Sequence, residues 1–138
     1  MSRWVGVVDL QRDPDGSGRY SLGRNLTYIG RTHEIRVFCG FWTDGASVPR
    51  FMWWWTDPYS GPWVAPAIIH DGLYAAQVTS RKKADSVLYE AMLDCGVRRT
   101  QAALIWAAVR LFGGLAWRRN SGNRSSMRNY VSCLEVTR

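Results

Sequence analysis

Hydrophobic periodicity changes once along this chain of 138 residues, and that change limits the fold more than any other feature. Before residue 43 the segments read as extended, with apolar and polar side chains alternating weakly over residues 4–10 and more strictly later. The run Glu34 to Phe41 is clearest, with Ile35, Val37, Cys39 and Phe41 on one face. A period of two marks a half-buried strand. From Trp63 onward the spacing is three and four, which marks a helix. Strands first and helices afterwards predict an α+β domain rather than alternating βαβ units.

Residues 1–42 read as a small antiparallel β-meander. Residues 4–10 and Tyr20–Ile29 supply strands on either side of the turn Asp13-Pro14-Asp15-Gly16-Ser17-Gly18. A second turn, Gly30-Arg31-Thr32-His33, leads into the run that begins at Glu34 and places His33 on the surface. Residues 43–62 form a loop with a short helix that has Pro49 in its first turn. Residues 63–117 hold three helices, at about 63–77, 81–94 and 99–117. Thr79-Ser80 starts the second helix and Gly96 stops it. In the third, Ala102, Ile105, Trp106, Val109 and Phe112 make the core face. Residues 118–138 supply a polar, basic loop and then a strand, Tyr130 to Val136, at the sheet edge. The whole, residues 1–138, fits one domain.

Composition narrows the function classes. With 46% hydrophobic and 21% charged residues the chain is globular. Its three cysteines, Cys39, Cys95 and Cys133, have no CxxC spacing, so free buried thiols are expected rather than a disulfide framework or a zinc knuckle. The net charge is +7 and all basic residues but Lys82 and Lys83 are Arg, which suits an anionic surface or partner. No recognition helix or aromatic–basic pattern points to nucleic acid. The apolar stretch Ala102–Trp117 contains Arg110 and is too short to span a bilayer. The first apolar run ends at Asp9, too early for the core of a signal peptide.

One segment carries the chemistry. His70-Asp71-Gly72-Leu73-Tyr74 lies in an otherwise apolar helix, where a His and an Asp are costly to bury unless they are partnered. His70 and Tyr74 are four apart and share a face. The short link to the second helix favours an antiparallel pair, which returns Asp85 beside His70. A carboxylate behind an imidazole fixes its tautomer and raises its basicity, the arrangement of a general base. Asp71 points one residue further round and is free to bind a cation. Asp44, in the loop Thr43-Asp44-Gly45-Ala46-Ser47-Val48-Pro49, is a second metal candidate. With two His in the chain, zinc is less expected than calcium. The cluster Phe51 to Trp55 and the net charge favour contact with an anionic membrane or cell-wall surface.

The ordered motifs Thr43-Asp44-Gly45-Ala46-Ser47-Val48-Pro49-Arg50, His70-Asp71-Gly72-Leu73-Tyr74 and Ser80-Arg81 with Ala84-Asp85 resemble a small family of unknown function found in tailed phages, prophages and bacteria. The resemblance implies a phage or prophage origin, with the protein in the virion or the host cytoplasm. More distantly, His70-Asp71-x-x-Tyr74 followed by Asp85 is similar to the secretory phospholipase superfamily. That likeness implies His70 as the water-activating base, Asp71 as a calcium ligand, Tyr74 as a support and Asp85 as the helper carboxylate. Together these readings lead to two expectations. One is a hydrolase-like domain acting on an ester, amide or phosphodiester of the host envelope. The other is a non-catalytic virion component, at the tail tip or baseplate, contacting other virion proteins.

Overall fold

The structure is a computed structural model and describes residues 3–43 and 61–136. The change of periodicity becomes an α+β architecture. Six strands come first: β1 (Arg3–Val5), β2 (Leu10–Arg12), β3 (Tyr20–Leu22), β4 (Leu26–Ile29), β5 (His33–Val37) and β6 (Trp42–Thr43). Five helices follow: α1 (Val64–Ala76), α2 (Arg81–Asp94), α3 (Arg99–Phe112), α4 (Gly114–Asn120) and α5 (Arg124–Met127), and the strand β7 (Val131–Glu135) returns last. The predicted short helix in 43–62, with Phe51 to Trp55, lies outside the described residues.

The strands form two antiparallel sheets instead of one meander, in the orders β1-β4-β5-β7 and β2-β3-β6. The extended run from Tyr20 to Ile29 breaks at Gly23-Arg24-Asn25, so β3 joins one sheet and β4 the other. The Asn25 carboxamide oxygen accepts from the Cys39 N–H at 2.8 Å and Gly23 N–H donates to the Asp9 carbonyl at 2.8 Å, which hold this corner. In the larger sheet Tyr28 lies opposite Ile35, Leu26 opposite Val37 and Val37 opposite Val131. These residues are buried and floor the core. As predicted, β7 is an edge strand, paired with β5.

His33 does not lie on the surface. It is the first residue of β5 and shares the inward face of Ile35 and Val37, so the strand period buries it to 7% exposure. Its Nδ1 is bonded to the Thr32 hydroxyl at 2.7 Å.

Helix α1 crosses this floor. A Cβ on Gly72 would lie 3.0 Å from Val37 Cγ2 and 3.3 Å from Val131 Cγ2, so glycine lets the helix backbone settle onto β5 and β7. Helices α2, α4 and α5 surround the rest of α1, and α3 packs on the far side of α2. The hairpin of α1 and α2 follows from local signals. Gln77 ends α1 in a left-handed conformation (φ 51°), and Ser80 caps α2 by accepting from the Lys83 N–H.

The expected third helix, 99–117, is two. They join at Gly113, whose backbone stays right-handed (φ −72°, ψ −12°), and glycine is needed there because a Cβ would meet the Val109 carbonyl at 2.5 Å and the Tyr74 hydroxyl at 2.7 Å. The basic loop expected after residue 117 is largely helical, in α4 and α5. Phe112 is 58% exposed and Trp106 39%, so neither belongs to the core face formed by Ala102, Ile105 and Val109. The three thiols are free, yet Cys39 is exposed and Cys95 and Cys133 are only half-buried. No described helix is long and apolar enough to cross a membrane.

Candidate functional site

The hairpin brings the predicted trio together. Asp85, on the second turn of α2, accepts from Tyr74 Oη at 2.7 Å and lies 2.8 Å from His70 Nε2 through the same oxygen, Oδ1. Its other oxygen, Oδ2, accepts from an Arg110 guanidinium nitrogen of α3 at 2.7 Å. The His70 and Tyr74 rings are 4.2 Å apart, and Trp117 of α4 meets Tyr74 edge-on at 5.1 Å. His70 and Asp85 are both fully buried. Three side chains, from α1 and α3, thus converge on one carboxylate of α2.

Electrostatics fix the protons. Burial alone pushes the Asp85 carboxyl up, but hydrogen bonds and charge from His70, Tyr74 and Arg110 outweigh it and hold the group below its ordinary value. Burial pushes the His70 imidazole down, against the pull of Asp85, so the ring is neutral at pH 7. Burial and the Asp85 carboxylate raise the Tyr74 phenol above its ordinary value. An ionised carboxylate only accepts, so His70 must donate from Nε2. Its Nδ1 then carries a lone pair, and that atom is buried without a hydrogen-bond partner among the described residues. Leaving a buried acceptor unmade costs on the order of 1–3 kcal/mol.

Asp71 points away from this trio, as its place in the helix requires. Its Oδ2 accepts from the Thr43 hydroxyl of β6 at 2.7 Å. Asp71, Thr43 and Tyr74 line a cleft of about 210 Å³, with Phe41 and Trp42 on one side and Ala116, Arg119, Asn120, Asn123 and Met127 on the other. Tyr74 therefore stands between the cleft and the buried dyad. Asp44 lies outside the described residues. Calcium takes six to eight oxygens, whereas no group of three or more His, Cys, Asp or Glu side chains able to hold a metal is found among the described residues. Of the two predicted metal ligands, Asp71 is the one that the described residues include.

Residues 20–109 match the model of a family described as a protein of unknown function, DUF1353. The chain belongs to that family. The match takes in β3 to β6, the His70–Tyr74 segment and Asp85, and ends within α3 at Val109. Arg110, which completes the carboxylate's shell, is the next residue beyond the DUF1353 match. A curated relative, the uncharacterized protein y4iH of Sinorhizobium fredii, is 36% identical over 76 residues, 51% of this chain. The chain spans only 30% of that relative's length. No solved structure matches the chain.

Sequence reasoning missed Arg110, Thr43 and Arg81 as parts of this region. Arg81 starts α2 and donates to the carbonyls of Val109 and Arg110 at 3.1 and 2.6 Å, which fixes the end of α3 beside Asp85. The one signal for Arg110 was a charge in an apolar stretch, and a charge there needs a partner.

Proposed function

We propose that this DUF1353 protein is a small hydrolase that uses His70 as a general base. The observation that carries this reading is the His70 imidazole, held by Asp85 at Nε2 and with no partner at Nδ1 among the described residues. A buried histidine usually satisfies both nitrogens, and a lone pair left at Nδ1 is what a general base needs. Nδ1 takes a proton from water as the hydroxide oxygen bonds to the carbonyl carbon or phosphorus of the substrate. The imidazolium, steadied by Asp85, then returns the proton to the leaving oxygen or nitrogen. Tyr74 and Arg110 keep Asp85 ionised and oriented. The substrate, an ester, amide or phosphodiester of the host envelope, would be held in the cleft beside Asp71 and Tyr74. His70 does not line that cleft, so this reading requires Tyr74 to swing aside and open a path to Nδ1. The ordered motifs support a phage or prophage origin, with action in the host cytoplasm or from the virion.

Full burial of His70 and Asp85 favours a second reading. In it the network only ties α1, α2 and α3 together, and the protein is a non-catalytic tail-tip or baseplate component. One experiment separates the two. Wild type and His70→Gln are assayed on fluorogenic esters, phospholipid vesicles, phosphodiesters and peptidoglycan fragments, with folding checked by circular dichroism. The hydrolase reading expects turnover that drops about 10²–10⁴-fold in a folded His70→Gln. No turnover on any substrate, with the variant merely less stable, overturns it in favour of the structural component.

A further inference from the structure

We propose that the outer face of α3 and α4 docks on an anionic lipid bilayer. Leu104, Leu111 and Leu115 are 50%, 76% and 60% exposed. Hydrogen bonds from Gly113 N–H to the Val109 carbonyl (2.7 Å) and from Trp117 N–H to the Gly113 carbonyl (3.0 Å) carry the helical spacing across the junction. Steps of seven and four residues then set the three leucines in one stripe. Arg118, three residues beyond Leu115, extends the same face. Ala107, three residues after Leu104 and four before Leu111, adds no polar group between them.

The charge of the chain is concentrated in the same segment. Residues 95–134 contain seven arginines and no lysine, aspartate or glutamate, and elsewhere eleven basic residues balance eleven acidic ones. The whole net charge of +7 therefore comes from the part of the chain that shows its leucines to water. Arg110 is held by Asp85, but Arg98, Arg99, Arg118, Arg119 and Arg124 make no ion pair among the described residues. An apolar helical stripe flanked by arginines matches the boundary between acyl chains and anionic headgroups, because the stripe inserts while the guanidinium groups stay at the phosphates. A nucleic acid would engage the arginines and leave the leucines in water. A second copy would bring two segments of the same charge together.

This inference does not depend on His70 being catalytic. Its test is flotation of the full chain with vesicles of phosphatidylcholine alone or mixed with phosphatidylglycerol. Two variants accompany it: Leu111→Ser/Leu115→Ser on the stripe, and Leu134→Ser on β7, an exposed leucine (58%) away from it. Unchanged melting temperatures establish that both are folded. The expected result is binding to the anionic vesicles only, weakened by salt, reduced more than about tenfold in the stripe variant and kept in Leu134→Ser. Absence of vesicle binding, or binding that the stripe variant retains, overturns the proposal. Self-association lost in the stripe variant, without vesicle binding, also overturns it and assigns the face to a second copy.

Discussion

Helix α1 hides a histidine and two hydrogen-bonded polar neighbours inside the protein, while α3 holds large apolar side chains out in water. In α1, His70, Asp71 and Tyr74 are buried with Leu73 and Ile69. In α3, Ala102, Ile105 and Val109 face inward, but the opposite side carries Leu104 and Leu111 where polar residues would ordinarily be. Both helices depart from the ordinary amphipathic pattern, in opposite directions. Departures of this kind concentrate where a protein does something other than fold. The contrast teaches where each type of side chain is needed. The α1 group depends on partners brought by α2 and α3, so its energy is internal. The α3 stripe has no internal partner among the described residues, so its energy is expected to lie outside the folded chain.

Substitutions should separate the two regions by size of effect. The largest is expected for Asp85→Asn, which removes the charge shared by His70, Tyr74 and Arg110. Because the carboxylate is buried, the loss should be about 3 kcal/mol in urea denaturation. Gly113→Ala should cost about 1–3 kcal/mol by the same measurement, since its methyl group would meet the Val109 carbonyl and the Tyr74 hydroxyl that donates to Asp85.

The pH dependence follows from the direction of each shift. The folded His70 pKa is below its ordinary value, so as pH falls the unfolded chain takes up that proton first. Stability should therefore decline from about pH 7 down through the ordinary histidine value near 6.5. The Asp85 contribution is fully present above about pH 4 and is lost as pH drops further. Urea midpoints measured across this range should show the upper step in wild type and in Leu111→Ser, and not in His70→Gln. The smallest effect belongs to the stripe itself. Leu111→Ser should change stability by no more than about 0.5 kcal/mol, and a larger loss in thermal unfolding would mean that Leu111 packs within the fold.

The parts legible in the sequence were those set by local chemistry. Ser80 and Gly96 bracket α2, whose observed ends, Arg81 and Asp94, coincide with the expected ones. The i, i+4 spacing and a short link were enough to bring His70, Tyr74 and Asp85 together. What was not legible depended on contacts between segments far apart. The expected single meander became two sheets because β1 pairs with β4 and β5 with β7, choices that depend on the finished floor under α1. His33 was read from its turn, whereas the face it shares with Ile35 and Val37 decides its burial. Phe112 fits a helical core spacing by residue type, but as the last residue of α3 it lies 58% exposed. Arg110 shows only as an isolated charge until α3 is placed against α2.

The pairing of β5 with β7 also has a consequence for synthesis on the ribosome. Val37 forms its register with Val131, so one edge of β5 stays open while all five helices emerge. At ordinary elongation rates that interval is on the order of 5–20 s. During it the nascent chain presents an unpaired strand edge and an α1 that lacks the Val131 contact beside Gly72. The hairpin of α1 and α2 can close early, but its floor is completed only by the last strand. Chaperone occupancy on stalled nascent chains should therefore remain high until that strand has left the exit tunnel.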